Sequence, residues 1–425
     1  MKRSFLPVAP AVAALSARRS VALAFLIGAV LLLALVSCGK PPTPTPEPVT
    51  VRLALPVADQ DQAKKLAEQF GKAHPGVTVE LVPRRWDVLT GVDPATADVV
   101  LTTQFALDEL RRRGLLISLD PLIAGDKELD QADFLPNALK MFVDNGKTWA
   151  LPAGLDVQVL YFNKDLFDRR GVPYPTEKWT RDDFAQAARK LSDGATGVFG
   201  YAVVTDFLDP ILFVYQHGGR LFDDLQSPTR TTFTDPKTVE AVDWYARLLR
   251  EPGVVLTAQN AQEVGAGNVQ YTVRSGKVGM WIASLSARGG RLERGPWPMK
   301  WGMAPLPADA RAATMATAVG YGITTQCKRS VTCWQLAVFM SKQPIATFAP
   351  ARRSLVKAVT GQDVEVARIA QAAADNSLMI RAGDLNRLEK AIEAFMAAVE
   401  AVVADRASAA EALAAAQQQS PMPSL

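Results

Sequence analysis

Three kinds of side chain in this sequence could do chemistry: acids near the ends of apolar segments, two histidines, and a close pair of cysteines. Asp156 lies in LDVQVLYF, and Asp206 and Asp209 lie in TDFLDPIL. Two carboxylates flanking one bond are what glycoside hydrolysis requires. A single carboxylate can instead accept hydrogen bonds from two hydroxyls of one polyol. The chain has 43 acids, so such pairs also arise without a function. His74 and His217 stand 143 positions apart, which speaks against a histidine-built metal centre. His217, in HGGR after an apolar run, reads as a packing residue rather than a general base, and no G-x-S-x-G elbow occurs. The glycines at 76, 218–219 and 265–267 lack the lysine and spacing of a phosphate loop. Eight tryptophans could stack on sugar faces. Trp149, Trp179, Trp244 and Trp334 fall inside periodic apolar segments and read as core, whereas Trp86, Trp281 and Trp297 stand nearer loops.

The elements that must position these groups follow a strand–helix alternation. Residues 49–55 (VTVRLAL) alternate and stop at a proline, as a strand does. Helical spacing predicts a helix over 59–73, followed by strands over 77–82 and 97–101 and a helix over 104–113. Residues 149–162 are β-rich. A helix over 180–191 carries the capping signature of Thr180 with Asp183 three residues on. Strands are expected at 199–204, 277–282 and 301–305, and helices at 209–217, 238–250 and 331–340. From 363 to 419 the chain is Ala-rich and helical. This pattern implies an α/β fold. At 425 residues, 48% hydrophobic and 21% charged, the chain exceeds one ordinary core and should form two domains.

The N-terminus reads as a processing signal. Arg18 and Arg19 precede sixteen apolar or small residues at 21–36, too short a run to span a bilayer comfortably. Leu35, Val36, Ser37 and Cys38 then resemble the bacterial lipobox, which implies cleavage before Cys38 and lipidation of its thiol. Five prolines within 41–48 favour an extended spacer. Of 47 basic residues, four (Lys2, Arg3, Arg18 and Arg19) precede Cys38, so the remaining 43 are balanced by 43 acids. A neutral body carries no electrostatic footprint for nucleic acid. In an exported chain Cys327 and Cys333, with five residues between them in TQCKRSVTCWQ, favour a disulfide over free thiols.

Taken in order, AKKLAEQFGKAHPGVTVELV, ADVVLTTQFALDELRRRGLLISLDPLI, NGKTWALPAGLDVQVLYFNKDLFDRRGVPYPTEKW, GGRLFDD, FTDPKTVEAVDWYARLL, RSGKVGMWI, WGMAPLP and GYGIT resemble the bacterial extracellular solute-binding proteins of sugar-type ABC importers, the family of maltose-binding protein. The resemblance implies a two-lobed periplasmic-binding-protein fold, each lobe a mixed sheet flanked by helices, with solute in the cleft. It implies hinge crossings near 154–161 and 303–306. The expected organisation is a signal at 1–37, a lipidated Cys and stalk at 38–49, a first lobe of 50–155 with 306–346, a second lobe of 156–305 with 347–418, and a tail at 419–425. It further implies solute contacts at Asp156, Gln158, Gln104, Thr102, Asp206, Trp86, Trp281 and Ser286. Three positions where the family stacks aromatic rings hold Thr102, Leu208 and Ser286, which leaves maltodextrin specificity open. The expected function is that of a lipid-anchored, extracytoplasmic, monomeric receptor delivering a sugar to an ABC permease, with no metal, cofactor or catalysis. The alternatives are a surface glycoside hydrolase, a receptor for a non-sugar solute, and a sensory binding protein.

Overall fold

A computed structural model describes residues 48–56, 60–84, 96–205, 208–225, 227–290, 295–345, 348–355, 368–369, 372, 376–380 and 382–420. Cys38, Trp86 and Asp206 lie outside the described residues, as do the signal and nearly all of the stalk. Residues 50–74 with 78–425 make up the main unit, to which the sheet and the site belong. The small second unit comprises residues 1–49 with 75–77, and in it the Val49 amide donates to the Gly76 carbonyl at 2.8 Å.

Among the described residues eleven strands share one sheet: β1 (Val49–Pro56), β2 (Val77–Arg84), β3 (Val99–Thr103), β4 (Ala150–Asn163), β5 (Phe199–Ala202), β6 (Val255–Leu256), β7 (Val278–Ser284), β8 (Trp301–Ala304), β9 (Thr314–Ile323), β10 (Ala349–Pro350) and β11 (Ser377–Leu378). The order is β2-β1-β3-β9-β4-β7-β5-β6. The main helices are α1 (Gln60–Ala73), α2 (Gln104–Arg112), α3 (Arg181–Leu191), α4 (Leu208–Gln216), α5 (Pro236–Arg250), α6 (Ser330–Ser341), α7 (Ala382–Val403) and α8 (Ala409–Gln419). The capping box expected at Thr180 is formed: its Oγ1 accepts the Asp183 amide at 3.1 Å, and Asp183 Oδ2 accepts the Thr180 amide at 2.9 Å.

β4 is the element that joins the two halves. Its N-terminal part, Ala150 to Val157, pairs antiparallel with β9, and Gly154 and Leu155 pair with β10 on the other edge. From Gln158 onward it changes partners, pairing with β7 on one edge and, from Leu160, with β8 on the other. The close approach of β10 explains the glycine at 154: a Cβ there would stand 2.8 Å from that of Phe348. Two apolar clusters form. One, within the second half, gathers Phe184, Tyr201, Phe213, Phe233, Tyr245 and Phe395, and the other runs across the junction, joining Val100, Leu107, Phe142 and Leu155 to Tyr161 and Trp281.

Two connections are fastened by polar groups. Arg352, 2% exposed, donates to the Ser341 carbonyl (3.1 Å), Ser341 Oγ (2.8 Å) and Asp133 (3.2 Å), with its guanidinium 3.8 Å from the Phe134 ring centre. Cys327 and Cys333 are disulfide-bonded ahead of the body of α6. Replacing Cys333 by serine is expected to cost about 2 kcal/mol, since closing so short a loop removes little chain entropy. Urea midpoints of the oxidised wild-type and variant proteins would measure it.

Residues 306–313 lie against the second half. The Ala308 amide donates to the Trp179 carbonyl (2.9 Å), Arg311 Nε donates to the Tyr215 carbonyl (2.6 Å), and Gln216 donates to the Ala313 carbonyl (3.0 Å). Residues 349–352 instead lie against the first half, through β10 and Arg352.

Candidate functional site

Asp156 stands on β4 two residues before Gln158, where the strand changes partners, so the backbone alone puts a carboxylate at the junction of the halves. Across the ladder it faces Thr317 of β9. Ser286, two residues past the end of β7, clamps it from the other half: the Ser286 amide donates to Oδ1 at 2.9 Å and its hydroxyl to Oδ2 at 2.6 Å. The Ser284 and Ser286 hydroxyls lie 3.0 Å apart. Burial pushes the Asp156 carboxyl up to about 6, against the opposing pull of the bonds from Ser286 and Ser284. A carboxylate has about four acceptor positions; Ser286 takes two, and Ser284 and Leu285 also pull on it, so a polyol reaching the half-buried Asp156 competes with these partners.

Behind this pair an aromatic group fixes the frame. The Tyr161 hydroxyl donates to the Ser284 carbonyl at 3.0 Å. Its ring stacks on Trp281 at 5.8 Å and meets Trp297 edge-on at 5.0 Å, and Trp301 packs edge-on against Trp297 at 5.4 Å. Trp281 is 1% exposed. Tyr161 was not singled out in the sequence; the signal that could have found it is its place in β4 opposite Trp281.

The end of β3 comes to the same place. Thr102 and Thr103 pair with Gly320 and Val319 of β9, three and two residues from Thr317. Thr102 is fully buried. Gln104, also fully buried, uses both ends of its amide: Oε1 accepts the Ala318 amide at 2.7 Å, and Nε2 donates to the Ile380 carbonyl at 2.7 Å. Gln158 is half-buried beside Pro305, Leu306 and Thr314, and its carbonyl accepts from the Thr314 hydroxyl at 2.6 Å. Asp156, Ser286, Gln104, Thr102 and Gln158 thus gather around the middle of β9, with Trp281 behind them.

The other chemistry-bearing groups are engaged elsewhere. Asp209 is buried and accepts a short hydrogen bond from the Tyr201 hydroxyl. His217 is bracketed by Asp309 (2.6 Å) and Glu240 (2.9 Å) on its two ring nitrogens. Among the described residues no group of three His, Cys, Asp or Glu is arranged to hold a metal ion.

A model of the bacterial extracellular solute-binding proteins matches residues 56–344. The chain is 26% identical over 273 residues to binding proteins of Brucella abortus and Brucella suis, an alignment spanning 61% of this chain and 62% of theirs. It is 23% identical over 310 residues to the mannitol-binding protein of Pseudomonas aeruginosa, covering 62% of this chain and 67% of that one. Among solved structures, an ABC substrate-binding protein of Listeria monocytogenes in complex with cycloalternan is similar with a TM-score of 0.69 at 20% identity, over 87% of this chain and 97% of that one.

Proposed function

This chain belongs to the family of bacterial extracellular solute-binding proteins, and from that premise we propose that it captures a sugar or polyol between its two halves and delivers it to an ABC permease. The observation that carries this reading is Asp156, a half-buried carboxylate at the strand junction held from the opposite half by Ser286. The mannitol ligand of the Pseudomonas relative and the cycloalternan of the Listeria structure are both polyhydroxylated, which suits such an acceptor.

In this proposal Asp156 and Gln158, both half-buried, touch the solute. Ser286, Gln104, Thr102 and Trp281, buried as they are, hold the frame beneath it. Trp86 and Asp206, which follow β2 and β5 in the sequence, are proposed to complete the contacts. The first lobe is proposed as 50–155 with 314–355, and the second as 156–313 with 376–418. The return crossing therefore falls on β9 rather than at 303–306, because 306–313 bond to the second half and β10 bonds to the first. Closing this frame on a solute is a hinge motion about β4 and β9. Catalysis is not part of the proposal, since Asp209 is committed to Tyr201. Bound sugar is expected to be recovered intact.

Thermal unfolding against mono- and oligosaccharides, polyols and polyamines tests the reading. A solute at 100 times its dissociation constant should stabilise by about 2.7 kcal/mol. A shift with cationic solutes alone would overturn the sugar assignment.

The protein is further proposed to be a monomer held to the membrane by lipid on Cys38. Cys38→Ala is expected to release it into the soluble fraction. Sedimentation with membranes despite the substitution would contradict the lipid anchor.

A further inference from the structure

α7 carries two neighbouring stripes with different fates. Phe395, Ala398, Val399 and Val402 bury in the cluster of the second half. Beside them Glu393, Met396, Ala397, Glu400 and Val403 share one face at helical spacing and border a cavity of about 440 Å³. Its opposite walls are Tyr245 and Leu249, one turn apart on α5, and residues 257–259 after β6. Ala397 helps keep the space open, since only a methyl group stands at the middle of the stripe. Pockets for small organic ligands run from about 300 to 1,000 Å³, and this one falls within that range.

Depth and mouth differ in character. Val203 and Val399 are almost fully buried, and Leu249, Met396 and Val403 are half-buried, so an apolar body placed there leaves water. Among the described lining residues the charged ones are both acids, the exposed Glu393 and Glu400, two helical turns or roughly 10 Å apart. The cations nearby are engaged: Arg406 with Glu400 at 3.1 Å, Arg247 with Asp243 at 3.1 Å, and Arg250 with Asp405. One turn before Glu393, Glu389 and Lys390 offset each other in charge. Glu393 is therefore surplus negative charge at the mouth. α5 and α7 also both end beside the cavity, at Arg250 and Val403, and helix C-termini carry a partial negative charge.

We propose that this cavity binds a small amphipathic cation, an organic amine whose apolar body enters between α5 and α7 while its ammonium group stays at the mouth beside Glu393. Shape and charge select together. An anion would meet two carboxylates and two helix C-termini, and a small hydrated cation would gain little from the apolar depth. The walls belong to elements of the second half, and Asp156 is not among them, so the site needs no closure of the halves.

The test uses the full-length protein labelled with carbon-13 at its methionine methyl groups. Three probes share one shape: 2-phenylethylamine, 2-phenylethanol and phenylacetate. The Met396 signal is assigned by its absence from Met396→Leu. The expected result is a saturable shift of Met396 by the amine, about fivefold weaker affinity for the alcohol and no shift with phenylacetate, an exposed carboxylate being worth up to about that factor. Glu393→Gln should bring the amine down to the alcohol. Ala397→Trp should fill the space and abolish the response. Ala397→Leu, a smaller change at the same exposed position, should weaken it and serves if the tryptophan variant does not fold. Equal affinity for amine and alcohol in the wild-type protein would overturn the cation assignment. A Met396 signal unmoved by all three probes would overturn the site itself, as would amine binding that survives both Ala397 variants or is lost only in Asp156→Asn.

Discussion

Asp156→Ala is expected to weaken solute binding on the order of 100-fold while the protein remains folded. Hydrogen bonds to a charged group contribute about 1.5–3 kcal/mol each, and those that Asp156 makes to the solute would be lost together. Asp156→Asn is the sharper variant, because its amide can still satisfy Ser286 while removing the charge. Calorimetric titration with the solute found by thermal shift measures both. Unchanged affinity in Asp156→Asn would remove this residue from the site.

The same carboxyl makes two pH predictions of opposite sign. Its native value, about 6, lies above the ordinary 3.8. The unfolded chain therefore gives up this proton first, and the native state loses stability relative to it as pH rises from 4 through 6. Solute affinity should move the other way, rising from pH 5 to 7 as the anion forms. In Asp156→Asn both slopes should flatten. If affinity still rises over that range in the variant, another group controls it.

Arg352→Ala should destabilise the protein by about 3 kcal/mol, the cost of removing a buried guanidinium and leaving the Ser341 acceptors unpaired, while Asp133 keeps its bonds from Ser354. Asp133, Ser341 and the Phe134 face all lose the guanidinium at once. Arg352→Lys keeps the charge but not the fork that reaches Ser341 and Asp133 together, so it should recover only part of the loss. Urea unfolding is the measurement, and a loss under 1 kcal/mol for the alanine variant would show that the latch is dispensable. Because Arg352 follows β10, which pairs with Gly154, the alanine variant should also loosen the junction strand.

Much of the architecture was legible because its local signals agree with its tertiary role. The capped helix after Thr180, the proline stop of β1 and the apolar run of β3 each announce their ends chemically. β9 was not recognised as a strand, although it is central. One of its two faces carries Ala316, Ala318, Gly320 and Gly322, small residues that carry little β-propensity and fit only because neighbours press close. A Cβ on Gly320 would stand 2.9 Å from the Leu151 carbonyl oxygen. At the candidate site, Asp156 and Ser286 were expected from the family resemblance, and the structure sets them in contact. Resemblance could not tell contact from support, however: Gln104 and Trp281 occupy expected positions yet are buried, and burial is a property of neighbours far away in sequence.

The place of β9 also governs the order in which this molecule can be made. It lies between β3 and β4, strands complete more than 150 residues before it, so the sheet of the first half stays split until residue 323 has left the ribosome. Such distant pairing is slow, because loop closure is paid for before any contact returns it. For a member of an extracellular family, slowness is useful: a polypeptide that cannot close its first sheet early stays threadable, so the late arrival of the strand beside Asp156 favours passage across a membrane before folding.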